Sequence, residues 1–175
     1  MLKTKVISLD KTLAKTVIAK SIVFSVFLSV ATILPALIHQ QFITGPIINA
    51  ILFASTIILG RESAIIIGLI PSLIALSFGL LSPALAPIVP FIMMSNALLV
   101  MIFGAFRKKN YWIGMIFASI LKFVFLFVTS SIVINLLLKK EVATKVAQIM
   151  SWPQLITAIM GGIIAFLIIK ATKKD

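Results

Sequence analysis

Lys122 is the residue in this sequence whose surroundings demand an explanation. It lies eleven residues after Tyr111 in an apolar run, between Ile120-Leu121 and Phe123-Val124-Phe125-Leu126-Phe127. A lysine near mid-bilayer costs several kcal/mol unless it meets a polar cavity or a partner. The four acids, Asp10, Glu62, Glu141 and Asp175, all fall outside the apolar runs and cannot neutralise it. An anionic ligand is then the natural counter-charge. The competing reading is snorkelling, in which the apolar stem lifts the ammonium to the headgroups. As an uncompensated charge, Lys122 should be removable without loss of the fold.

A second set of candidates is made of amides. Asn49, Asn96 and Asn135 occur within apolar runs, and Gln40, Gln41 and Gln154 fall at run ends with His39 and Trp152 nearby. Polar groups in hydrocarbon are costly without partners. Amides gathered in one leaflet therefore point to a polar pocket, although amides also hydrogen-bond helix to helix. The third set is small residues at helical spacing: Ser21, Ser25 and Ser29; Ala64, Gly68 and Ser72; Ala158 and Gly162, followed by Phe166. Small residues let helices approach closely. Internal packing is the expected use of the second and third stripes. The serine stripe is equally suited to docking another protein.

Other chemistries are excluded by what is missing. With no acid inside a run, neither a proton relay nor a pair of carboxylates for acid–base work can be assembled. One histidine and no cysteine leave no multi-histidine or thiolate metal site. No Gly-rich loop ends in Gly-Lys-Ser/Thr, so ATP has no P-loop. An enzyme is not expected, nor a metal or any other cofactor.

The elements that must position these residues are membrane helices. Of 175 residues, 61% are hydrophobic and 11% charged, against about 25% charged in soluble domains. Apolar runs of about 18 residues or more read as membrane spans. Six are expected, at 21–38, 46–59, 64–81, 88–106, 111–138 and 153–169, forming one all-α bundle without a soluble domain. The first belongs to a helix starting near Asp10, and Pro46 and Pro153 mark two helix starts. The net charge of +12 flanks the spans, so it reads as topology and contact with anionic lipid rather than nucleic-acid binding. Lys3, Lys5, Lys11, Lys15, Lys20, Arg61, Arg107, Lys108, Lys109, Lys170, Lys173 and Lys174 fall on one side. Lys139, Lys140 and Lys145 fall on the other. The richer side should be cytoplasmic, with both termini.

The outer connections differ in kind. The first is His39-Gln40-Gln41-Phe42-Ile43-Thr44-Gly45. The second contains Pro83 and Pro87 and cannot be regular helix. The third, 139–152, is amphipathic: Val142, Val146 and Ile149 share a face, and Glu141 stands i,i+4 from Lys145. It suits either a lid on the outer surface or a loop resting on headgroups.

This layout resembles the substrate-binding (S) components of energy-coupling factor (ECF) transporters. The most suggestive stretch is Asn49-Ala50-Ile51-Leu52-Phe53, then Leu59-Gly60-Arg61-Glu62-Ser63-Ala64 and Gly68-Leu69-Ile70-Pro71-Ser72. It is similar to the family's second and third helices and their tight Gly-Arg turn. The resemblance implies capture of a vitamin or related small molecule from outside, without ATP hydrolysis by this chain. It also implies a coupling membrane subunit and two ATPase subunits as partners. In the family an Ala-x-x-x-Ala stripe on the first helix docks on the coupling subunit; here Ser21, Ser25 and Ser29 stand in that place. The family's site under the first loop implies His39, Gln40, Gln41, Asn96, Asn135, Trp152 and Gln154 as lining, with Lys122 deeper. A scaffold of a cell-envelope complex, of the rod-shape-determining type, and a small uniporter are the other readings.

Overall fold

The computed structural model describes residues 2–38, 40–78, 83–137 and 140–172, with side chains described over 15–38, 40–78, 86–133, 143–144 and 146–172. Seven α-helices are found there: α1 (Leu2–Leu37), α2 (Gln41–Ile58), α3 (Arg61–Ser77), α4 (Val89–Phe106), α5 (Tyr111–Leu137), α6 (Lys140–Ile149) and α7 (Trp152–Thr172). The two-proline segment 83–88 is a 3₁₀ turn, not α-helix, because proline lacks the N–H an α-helix needs.

Among the described residues, five stretches are long and apolar enough to cross a membrane: Lys15–Leu37, Gln41–Ile58, Ala86–Phe106, Tyr111–Val133 and Val146–Thr172. The expected six-span count therefore rests on α3, which has 17 residues and packs against α1, α2 and α4. Charge marks one end of the bundle. Arg61, Arg107, Lys108 and Lys170 collect where α2 meets α3, where α4 meets α5, and where α7 ends. The opposite end carries α6.

Several boundaries differ from expectation. α1 is one continuous helix of 36 residues, about 54 Å long, and begins before Asp10 rather than near it. Its lysine-rich first half therefore extends beyond any bilayer thickness. Pro46 lies inside α2, not at its start; the helix begins five residues earlier, so the proline removes only one bond near the first turn.

The core forms where small residues let helices meet. α2 and α7 make the most extensive contact. A Cβ at Gly161 would stand 2.5 Å from Asn49 Cβ and 2.7 Å from the Pro46 carbonyl oxygen, and one at Gly45 2.9 Å from Thr157. The expected stripe on α7 thus packs internally, through Ala158, Gly161, Gly162 and Ala165, all buried. Phe53, Phe103 and Tyr111 fill the basic half edge to face, with ring centroids 4.7 Å and 5.2 Å apart. Gly60 makes the α2–α3 turn at φ +97, a conformation glycine enters without a Cβ clash.

Candidate functional site

Lys122 is positioned by the inward stripe of α5. Met115, Ala118, Ser119, Lys122, Leu126, Ser130 and Val133 are buried at helical spacing, while Ile113, Phe117, Ile120, Val124 and Phe127 face outward. A residue on that stripe cannot reach the headgroups, and the side chain does not snorkel. It is 4% exposed, and its Nζ donates to Asn49 Oδ1 at 2.6 Å and Asn96 Oδ1 at 2.8 Å. The Asn96 amide is itself oriented: its Nδ2 donates to the Gly68 carbonyl oxygen at 3.0 Å, which leaves Oδ1 to face Lys122. Gly68 allows this approach, since a Cβ there would stand 3.1 Å from Asn96 Cβ and 3.3 Å from Leu52 Cδ2. Asn49 and Asn96 are 2% and 6% exposed. Four helices, α2 to α5, thus meet at one buried polar cluster.

The cluster forms one wall of a cavity of about 200 Å³ between α1, α2, α3, α4, α5 and α7. Ala31, Pro35, Ile48, Ile67 and Ile92 contribute its apolar lining, and Thr32, Thr44 and Ser72 add hydroxyls. Toward the α6 end, Gln41 and Gln154 line it as well. Both also hold α6. Gln41 Nε2 donates to the Ile149 carbonyl oxygen at 3.0 Å and Gln154 Nε2 to the same oxygen at 3.3 Å. A carbonyl in the last turn of a helix has no intrahelical partner, so two side chains use it as a latch. α6 is seated by Val146 and Met150, which pack with Ile88, Leu126 and Val133. The expected face through Ile149 is replaced by one through Met150, because Ile149 is 39% exposed.

Of the candidate residues, the structure brings Gln41, Asn96, Lys122 and Gln154 to one cavity. Gln40 is exposed and outside the cavity lining. Trp152 is 59% exposed and meets Phe42 in a tilted ring contact, with centroids 5.8 Å apart, as suits an interfacial aromatic. His39 and the side chain of Asn135 lie outside the described residues. Asn49, one of the membrane amides and outside the expected lining, also borders the cavity. Its depth held the signal: it stands eight residues into α2 from one end of the bundle, and Lys122 eleven into α5 from the other. Both lie about 12–17 Å from their helix starts.

Ser21, Ser25 and Ser29 lie on an exposed face of α1. Val17, Ile18, Ile22 and Val26 flank Ser21 and Ser25 in a shallow groove. The opposite face, through Phe24, Phe27, Leu28 and Ala31, packs on the core.

The family model described as ECF transporter, substrate-specific component matches residues 19–172. The chain belongs to that family. This S component is therefore a multi-pass membrane protein and the substrate-binding subunit of an ECF transporter, a transporter part rather than an enzyme. Among curated proteins and among solved structures, none matches this S component.

Proposed function

We propose that this S component captures a vitamin or related small molecule from outside in the cavity bounded by Lys122, Asn49 and Asn96. The observation that carries the reading is a buried cation held at a cavity wall by two neutral amides. An ammonium has three donors; the amide oxygens take two, and the third is left for a substrate. The matching ligand presents an acceptor at its deep end, preferably a carboxylate or phosphate, since charge-assisted bonds are the stronger ones. Gln41, Thr32, Thr44, Ser72 and Gln154 would address its remaining polar groups. α6, latched through Ile149, serves as the lid at the entrance.

In this reading the chain crosses the membrane six times. α3 supplies the sixth crossing, and 17 residues reach about 25 Å, enough for a short span. The basic end is cytoplasmic, with both termini, as the excess of Lys and Arg there supports. Energy comes from a coupling membrane subunit and two ATPases, docked on the face of Ser21, Ser25 and Ser29.

The test is a thermal-shift screen of the detergent-purified chain against vitamins and their precursors. A ligand at a hundredfold excess over Kd adds about 2.7 kcal/mol of stability, which is readily measured. Stabilisation by one compound class supports the proposal. A flat response across the panel counts against a vitamin or vitamin precursor as the ligand of this cavity.

A further inference from the structure

A second cavity, of about 590 Å³, opens at the basic end between α2, the α4–α5 turn and α7, and shares no lining residue with the site above. Three cations face it, Arg107, Lys108 and Lys170, beside Ile57, Tyr111, Phe166 and Ile169. No acid lines it. Arg107 Nε is buried and has no hydrogen-bond partner among the described residues. Burial, and then the neighbouring Arg61, hold the Arg107 pKa below its ordinary value. It is nonetheless a cation, because a guanidinium does not give up its proton at neutral pH. The Tyr111 hydroxyl is already committed to the Gly162 carbonyl oxygen at 2.7 Å. Among the described residues, what faces the cavity is therefore positive charge without an anion, set against an apolar wall.

That combination specifies an amphiphile. A guanidinium fork matches a phosphate, and two ammonium groups complete the counter-charge. The apolar wall stands at the ends of membrane helices, where an acyl chain begins. A soluble phosphate would have no use for Ile57, Phe166 or Ile169. We propose that this cavity binds an anionic phospholipid, with its phosphate on Arg107, Lys108 and Lys170 and its first acyl carbons against the apolar wall. Basic pockets between membrane helices take acidic headgroups in this way.

The experiment uses the full chain in neutral detergent, with phosphatidylglycerol, phosphatidylcholine or inorganic phosphate added. Lipid retention is read by native mass spectrometry, and stability by melting temperature. Phosphatidylglycerol should be retained and raise the melting temperature; phosphatidylcholine and phosphate should do neither. Each cation removed should weaken retention about fivefold, and the triple variant Arg107→Gln, Lys108→Gln, Lys170→Gln roughly a hundredfold. Lys15→Gln with Lys20→Gln, on α1 away from the cavity, should leave retention unchanged. If the triple variant does not purify folded, Lys170→Gln alone carries the test, because that side chain is exposed at the end of α7. Equal retention of phosphatidylcholine, or undiminished retention in the variants, overturns the proposal. So does stabilisation by inorganic phosphate equal to that by phosphatidylglycerol, which would mark a site for a soluble anion.

Discussion

Lys122 changes meaning once its partners are known. As an uncompensated charge, it would be removable without harm to the fold. Held by Asn49 Oδ1 and Asn96 Oδ1, it is the shared donor of a polar cluster, and Lys122→Met leaves two buried acceptors unpaired. Each such loss costs about 1–3 kcal/mol, against the relief of removing a buried charge. Asn96 cannot turn away without breaking its bond to Gly68, so we expect the variant to melt lower than the wild type. Binding of an acidic ligand should weaken by roughly tenfold to a hundredfold, as loss of one charge-assisted bond requires. Melting curves and ligand titrations of the two forms check both statements. Unchanged affinity would remove Lys122 from the site and leave it a structural role.

At the helix scale, buried and exposed positions should respond differently. Gly161 is where α7 meets the backbone of α2, and a methyl group there would collide with the Pro46 carbonyl oxygen and with Asn49. Neither can give way as a flexible side chain would, so Gly161→Ala should destabilise by about 1–3 kcal/mol. Thermal unfolding in detergent would show it, and a wild-type melting temperature would mean that the two helices separate easily. Ser25, by contrast, is exposed on α1. Ser25→Trp should leave the melting temperature unchanged while reducing co-purification with the coupling subunit, because close helix approach is lost. Undiminished co-purification would move the docking surface elsewhere. The α6 latch belongs at this level too. Removing both donors with Gln41→Ala and Gln154→Ala should speed ligand release several-fold, since each lost bond is worth about 0.5–1.5 kcal/mol; dissociation kinetics decide it.

The bundle as a unit has a direction in the membrane. The natural chain has no cysteine, so single cysteines report without background. Lys3→Cys, Lys109→Cys and Lys173→Cys should resist a membrane-impermeant reagent in intact cells, and Thr144→Cys should react. Labelling at position 109 from outside would overturn both the orientation and the six-span count. Accumulation of substrate should likewise require co-expression of the coupling and ATPase subunits, because this chain has no P-loop and no acid within its apolar runs.

The sequence by itself determined the class of the protein and most of its helices. Long apolar runs have one stable form in hydrocarbon, the helix, because every backbone group must be paired internally. The expected starts of the α4, α5 and α7 runs lie within one residue of the helix starts for that reason, and the two-proline turn interrupts the α-helix as expected. The start of α2 was not: Pro46 fits a first turn, but it also fits five residues into a helix whose neighbour offers Gly161. The use of each polar residue was legible only in part. Lys122 and the amides stood out because hydrocarbon makes them costly, yet cost alone does not say what satisfies them. Pairing Asn49 with Lys122, 73 residues apart, depends on helix depth and rotation together, and those follow from which small residues meet across α2, α3, α4 and α7. The same holds for Gln41 and Gln154, which line the cavity and also latch α6, while Gln40, next in sequence to Gln41, faces away. Gln40 is the extended residue that precedes α2, so it stands outside the helix face that carries Gln41, and side-chain partners are decided by packing.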